Sequence, residues 1–447
     1  MVPQPKALLL LLTTSLEALA PLAPTAAGPA PVVDPERTRW VAEHAVTARS
    51  IDPLDEDFAD LVPLIRVIGA ARVVELGEVT HGDGATFLAK ARLIRFLHQV
   101  MGFDVLAWES GIADVRWMDE ALRAGRPAAE AAGRALYLVW NTREVLPTLD
   151  YVRTSQGTAR PIKTVGFDCR ISRPKVRSEL FPNMVFNFFD RLDPALISRR
   201  EREDLVAMAV GLVPSEYYAK PGLRRYNRKL PERLIATIDR RRGELLAHYP
   251  PHEIDYLRQS LVSLINMDRA LGPGDRQPSP GGYTRDGAMA ENLLWWLRGP
   301  LKDRKVVVWA HNYHVMNDPA SDEPAPAGRP VKGGPLLGGP MSRFLKAELG
   351  PDLYSIGFAS YAGTSRDLEA PAKEVPVVPG ALETLLHSVG RPLLFLDFSG
   401  LPADHWLRTP WTAGLSFYEP TSAVWTRCYD GLFFIDVQKP STPLLEN

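Results

Sequence analysis

Short, nearly continuous apolar runs recur along the chain at residues 72–76, 103–108, 162–167, 305–309, 353–358, 393–398 and 432–437. A strand with water on one face alternates apolar and polar residues. Unbroken apolar runs indicate strands covered on both faces, as in a mainly parallel sheet flanked by helices. Between the first two runs, "ATFLAKARLIRFLHQVMG" sets Phe87, Ala91, Ile94 and Leu97 at helical spacing, and Gly102 supplies the stop. Strand, helix, strand is a βαβ unit, the crossover that parallel neighbours require. From about residue 175 to 300 the period changes: "PALISRREREDLVAMAVGLV" and "YTRDGAMAENLLWWLRG" are helical in pattern, and no β-like run intervenes. The expected fold class is α/β, a central mainly parallel sheet flanked by helices, with a large helical insertion at about 175–300. Residues 318–340, "DPASDEPAPAGRPVKGGPLLGGP", are Pro- and Gly-rich and are expected to form an irregular loop.

Ligands of open α/β sheets bind beyond the carboxyl ends of the strands. The first strand runs into Gly77, Glu78, Thr80, His81 and Gly82, the second into Glu109, the third into Asp168, and the fourth into His311, Asn312 and His314. Taken singly, each has a plainer explanation: a solvated loop histidine, a carboxylate at a helix N-terminus, an aspartate in a turn. Their coincidence at one sheet edge points to a site. There is no GxSxG elbow, no phosphate-binding glycine loop and no HExxH pair, so a serine hydrolase, a nucleotide fold and a zincin are not indicated.

Composition narrows the class further. Of 447 residues, 45% are apolar and 23% charged, and the formal net charge is −1, which gives no nucleic-acid surface. The stretch "MVPQPKALLLLLTTSLEALAPLAPTAAGPAPVVDP" has a lysine, an apolar run and small-residue cleavage candidates. Residues 1–35 are therefore expected to be a signal-like or disordered leader, leaving 36–440 as the folded domain. Export to the periplasm or medium follows if that leader is a signal, and a cytoplasmic location if it is not. No segment is apolar enough to span a bilayer. Cys169 and Cys428 are the only cysteines; buried free thiols are the default expectation, and no CxxC spacing suggests zinc.

In order along the chain, "GEVTHG", "GFDVLAWES", "VGFD", "RDGAMAEN" and "VVVWAHNYHV" resemble the erythromycin esterase family, which also contains proteins labelled as succinoglycan biosynthesis proteins. The resemblance covers about residues 40–435. It implies an α/β core whose helical insertion forms a cleft, and ester or lactone hydrolysis without a serine nucleophile or a required metal. It carries the general-base role to His81, with Glu78 as its partner, and adds Glu109, His311 and His314 to the catalytic set. Lys90 stands where those esterases carry an arginine, and Ala85 and Thr86 stand where they often carry a glutamate. Lys90 or His314 would then bind the oxyanion of a tetrahedral intermediate. Asn312, Asp168, Arg285, Trp140 and Glu144 complete the set as candidate substrate-binding residues. Arg285, Asp286 and Asn292 share one helix and either line the cleft or brace the insertion.

Three enzymatic expectations compete. The first is a hydrolase cleaving an ester or lactone of a bulky natural product through His-activated water, with no cofactor. The second is a metal-dependent hydrolase, since Glu78, His81, Glu109, His311 and His314 suit a divalent metal. The third is a lyase or tailoring enzyme that uses the same base without adding water. A binding protein without turnover is the non-enzymatic alternative. The expected partner is a small-molecule substrate, with no nucleic acid, and the oligomeric state stays open.

Overall fold

The computed structural model describes residues 34–172, 180–211, 221–270, 284–318, 339–366 and 371–444. The leader through residue 33 and loop residues 319–338 therefore lie outside the described residues. The strands, in chain order, are β1 (Val46–Thr47), β2 (Val73–Leu76), β3 (Val105–Gly111), β4 (Lys163–Asp168), β5 (Val306–Trp309) and β6 (Leu353–Ser365). They continue with β7 (Lys373–Glu374), β8 (Leu393–Asp397), β9 (Trp411–Ala413), β10 (Thr421–Ala423) and β11 (Gly431–Gln438). Each of the seven apolar runs is a strand. The strands β1, β7, β9 and β10 are too short to leave a pattern in the sequence.

The main sheet has the order β1-β8-β11-β6-β2-β5-β3-β4, with β7 added at β6, while β9 and β10 pair separately. From β4 through β11 the neighbours along this path are parallel; β8 and β1 run antiparallel at the far edge, so the sheet is mixed but mostly parallel. Its central strands are buried along their whole length, the burial that an unbroken apolar run demands. Alternate residues supply two cores. Val73, Val105, Val165 and Val306 face one, packed with Met289, Leu293 and Leu345. Val74, Leu106, Trp108, Val307 and Trp309 face the other, packed with Phe87, Leu93 and Phe96. The helices Arg285–Arg298 and Met341–Leu349 thus cover one face and Gly84–Gln99 the other.

Between β4 and β5 the described elements are helical, including Leu180–Asp190, Pro251–Ala270 and Arg285–Arg298. They enclose a third core of Phe181, Val185, Phe189, Leu234, Leu257 and Leu261. Cys169 and Cys428 are buried free thiols. Among the described residues no helix is long and apolar enough to cross a membrane.

Register is what brings the chemistry together. Leu76 pairs with Trp309, Trp309 with Trp108, and Trp108 with Gly166, so four strand ends stop at one level. Glu78, His311 and Asp168 each lie two residues beyond that level, and Glu109 lies one beyond. Between Trp108 and Gly111 the β3–β4 register shifts, a bulge that contains Glu109 and Ser110. Bulges re-aim side chains at the ends of sheets.

Candidate active site

The loop after β2 turns tightly under two constraints. A Cβ on Gly77 would stand 2.0 Å from Asn312 Oδ1, and one on Gly82 would stand 1.4 Å from the Arg366 carbonyl oxygen. Only glycine leaves room for atoms that close. Between those glycines Glu78 is fully buried and accepts three hydrogen bonds. His81 Nδ1 donates to Oε1 at 2.8 Å, Trp140 Nε1 donates to the same oxygen at 2.9 Å, and Lys90 Nζ donates to Oε2 at 2.5 Å. With Nδ1–H committed to a carboxylate, the His81 ring carries its lone pair on Nε2, which has no partner among the described residues. The imidazole is 21% exposed, enough to meet solvent.

The structure places Lys90 behind this pair, not at the open face where an oxyanion would sit. Its ammonium is wholly buried on Glu78, also reaches the Ala310 carbonyl at 3.2 Å, and lies 4.5 Å from the Trp309 ring centroid. Burial pulls its pKa below the usual lysine value even though Glu78 opposes that shift. Lys90 anchors the anchor of the histidine. Trp140, similarly, is a buried donor that meets His81 edge-on at 5.3 Å, so it backs the ring and walls no open space.

His311 lies 5.1 Å from His81 and 6.2 Å from His314, centroid to centroid. Its ring is fully engaged: Nε2 donates to the Val79 carbonyl at 2.7 Å and Nδ1 accepts from the Tyr313 amide at 3.1 Å. Burial, and then the neighbouring rings of His81 and His314, depress its pKa well below the ordinary histidine value, so it stays neutral. Phe417 stacks on it at 4.5 Å, and the Phe417 amide donates to the same Val79 carbonyl. Phe417 and Tyr418 both hold positive φ, at 52° and 57°. Two non-glycine residues in this region are the kind of local strain that collects at functional sites.

A second network sits beside the rings. Glu109 Oε1 accepts from Arg285 Nη2 at 2.8 Å and from His314 Nε2 at 3.1 Å, and Oε2 accepts from the His311 amide at 3.0 Å. Asp168 accepts from the Arg285 guanidinium and, at 2.8 Å, from the Tyr137 hydroxyl. His314 Nδ1 donates to Asp286 at 2.7 Å. Burial opposes the charge on His314, but Asp286 and Glu109 outweigh it and raise the pKa to about 10, an imidazolium at neutral pH. Glu109 is likewise held well below the carboxylate range by His314 and Arg285 against the pull of burial. Since His314 Nε2–H is committed to Glu109, it cannot accept from Arg285 Nη1, 3.2 Å away. The Nη1 hydrogens therefore have no acceptor in that ring.

Asn312, expected to face a ligand, is buried with its amide engaged in the fold. Oδ1 accepts from the Phe358 amide at 3.0 Å, and Nδ2 donates to the Phe358 and Leu415 carbonyls at 2.8 Å each. Asn292 braces in the same way, donating to the Phe167 carbonyl and Ser263 hydroxyl. Glu144 is not brought to the rings; its carboxylate accepts from the Thr442 amide and lines a separate cavity. Asp286 joins the cluster through His314, and Tyr137 and Phe417 join it with no local pattern that points to them. Asp286 sits within "RDGAMAEN", whereas Tyr137 precedes "LVW" and Phe417 lies in "GLSFYEP", neither of which carries a signal. Among the described residues no three His, Cys, Asp or Glu side chains are grouped to hold a metal ion. The nitrogens of His311 and His314 are already bonded to carbonyl, amide or carboxylate groups.

A carboxylate-tethered imidazole at the carboxyl ends of buried parallel strands, beside a cationic network, is the layout of an α/β enzyme site. The family model for erythromycin esterase matches residues 98–437. Among curated relatives, "Putative hydrolase YbfO" of Bacillus subtilis is 26% identical over 427 residues, spanning 90% of this chain and 91% of its own. "Erythromycin esterase type II" of Escherichia coli is 26% identical over 341 residues, 72% of this chain and 77% of its own. A solved succinoglycan biosynthesis protein superposes with a TM-score of 0.74 at 20% identity, over 92% of this chain and 98% of that one. An erythromycin esterase variant solved in its open conformation gives 0.66 at 16% identity, over 90% and 99%. These superpositions bear on the fold. The chain belongs to the erythromycin esterase family of hydrolases.

Proposed function

We propose that the protein hydrolyses an ester or lactone of a bulky natural product by adding water activated at His81. The observation that carries this is the pairing of His81 Nδ1 with Glu78 at 2.8 Å, which leaves Nε2 without a partner among the described residues. Nε2 takes a proton from water as the oxygen attacks the acyl carbon, and Glu78 stabilises the imidazolium that forms. The oxyanion that develops meets the Arg285 Nη1 hydrogens beside the His314 imidazolium. On collapse the acyl–oxygen bond breaks, and the proton held by His81 passes to the leaving alkoxide. The products are an acid and an alcohol, or a hydroxy acid from a lactone. The name of the Escherichia coli relative supports macrolide lactones as the first substrates to try.

The test is a panel of macrolides, other lactones and simple aryl esters incubated with the enzyme in ¹⁸O-labelled water and analysed by mass spectrometry. Hydrolysis puts one heavy oxygen into the acid product, and the His81→Ala variant does not turn the same substrate over. A product that forms without label overturns hydrolysis in favour of elimination. Loss of turnover on chelation, restored by a divalent ion, overturns the metal-free form of the mechanism.

A further inference from the structure

We infer that the chain carries a second ligand site, outside the reactive cluster, suited to an amphipathic monoanion: an apolar body bearing one carboxylate or sulfonate. An open cavity of about 1060 Å³ lies between the helices Gly84–Gln99 and Leu146–Ser155 and the carboxyl end of β11. Its volume is that of a site for a drug-sized molecule. None of Glu78, His81, Glu109, Arg285, His311 or His314 lines it.

The wall is largely apolar, from Leu54, Leu88, Leu146, Tyr151 and Val437. Leu54 is 76% exposed and Val437 54%, a large hydrocarbon surface left to water at one place. The charges on the rim are arranged unequally. Asp52 accepts its own turn's Leu54 amide at 2.9 Å, Glu144 accepts the Thr442 amide at 2.8 Å, and Asp150 pairs with Arg153 at 3.0 Å. Two of the three rim cations are less committed. The side chains of Arg143 and Lys439 are exposed and have no acidic partner among the described residues. Arg95 is already engaged: its guanidinium donates to the Pro53 carbonyl at 2.7 Å, pairs with Glu56 at 3.2 Å and lies 4.4 Å from the Tyr151 ring centroid, with only its buried Nε lacking a partner among the described residues. Acids that already accept backbone amides or pair with Arg153, two cations without an acidic partner among the described residues, Arg143 and Lys439, and an apolar floor together select an anionic group on a hydrocarbon or aromatic body.

One wall of this cavity is also the outer support of the base loop. The segment from Lys439 to Leu444 forms isolated bridges to Asp83 and Thr142. The Ser441 amide donates to the Gly82 carbonyl at 2.8 Å, and the Leu444 amide donates to the Asn141 carbonyl at 2.8 Å. Gly82 follows His81 and Asn141 follows Trp140, so a ligand in the cavity touches the strap that holds both flanks of the Glu78–His81 pair.

The inference does not depend on the hydrolytic reading, and its test uses binding alone. The probe is 1-anilinonaphthalene-8-sulfonate, titrated into the full-length protein by fluorescence, with dodecanoate as competitor. We expect saturable binding at a single site, displaced by dodecanoate. In the Arg143→Ala/Lys439→Ala double variant the affinity should fall about tenfold or more, since charge-assisted contacts are lost. Both side chains are exposed, so an unchanged melting curve is expected and keeps the comparison meaningful. Leu88→Trp, which fills the cavity, should abolish binding, while Arg285→Lys should leave it within about twofold. The neutral N-phenyl-1-naphthylamine should bind alike to wild type and double variant. Absence of saturable binding, equal affinity in the double variant, or loss in Arg285→Lys instead would overturn the assignment.

Discussion

Two carboxylates, Glu78 beyond β2 and Glu109 in β3, flank the end of β5, and they make opposite kinds of contact. Glu78 is enclosed by donors from Trp140 and Lys90, and its only partner that reaches solvent is His81. Glu109 instead joins a closed network in which Arg285, His314 and the His311 amide take up both of its oxygens. The first arrangement orients one imidazole and leaves a nitrogen unoccupied; the second fixes two positive charges and leaves an edge of one guanidinium. A base needs a lone pair in reach of water, and an oxyanion needs donors that do not reorganise. Under the proposed mechanism, the difference between the two carboxylates is a division of labour between moving a proton and stabilising charge.

The largest way to sharpen that contrast is His81→Ala, which removes the lone pair and should lower turnover by about 10²–10⁴-fold. The ring is partly exposed and braces no core, so melting temperature should change little; a variant that unfolds, or one that keeps near wild-type turnover, breaks the assignment. Next is Glu78→Gln. It leaves the Lys90 ammonium buried without its counter-ion, a loss of about 3–5 kcal/mol for a broken buried pair, alongside reduced activity. Denaturant unfolding measures the first effect, and a stability equal to that of His81→Ala would show that Lys90 is not held as described. On the other side of the comparison, Arg285→Lys keeps the charge but loses the planar fork. It should lower kcat by about 10–100-fold with KM changing less; an effect confined to KM would make Arg285 a substrate clamp.

The smallest effect concerns Glu75, one strand position inside the site level and fully buried. Ser342 Oγ stands 2.5 Å from Glu75 Oε2 and 3.0 Å from Asn317 Oδ1. A serine has one proton, so if it donates to the asparagine oxygen, Glu75 must be the donor in the other bond. Burial raises the Glu75 pKa to about 8 from 4.5. The folded state therefore keeps a proton that the unfolded chain releases, and stability from this group is complete below about pH 4.5 and lost as pH rises through 8. Glu75→Gln retains a donor without that titration. Calorimetric melting temperatures of variant and wild type should diverge in the variant's favour between pH 5 and pH 8; parallel curves would contradict a protonated Glu75.

The strands were legible because a run such as Lys305–Trp309 has only one place to bury four apolar residues in succession. The edge pairing of β1 with β8 was not, since two residues carry no period. Strand ends could be aligned from the sequence, which is why Glu78, Glu109, Asp168 and the two histidines of "WAHNYH" were grouped at all. Depth could not. Lys90, Asn312 and Trp140 have residue types that suit outward roles, yet register and side-chain direction turn all three inward. Glu144 shares a segment with Trp140, yet its carboxylate binds the Thr442 amide and lines the separate cavity, a placement that only the tertiary pairing of residues 439–444 creates. Phe417 reaches His311 from more than a hundred residues away, and no local pattern announces such a contact.

The central claim is that adjacent rings hold opposite tautomers, His81 protonated at Nδ1 and His311 at Nε2. Long-range ¹H–¹⁵N correlation spectra of protein labelled at histidine nitrogen, assigned with His81→Ala and His311→Asn, read this directly. The account predicts a bare Nε2 on His81 and a bare Nδ1 on His311 at the same alkaline pH. A His81 ring protonated at Nε2, with its lone pair turned toward Glu78, would contradict it.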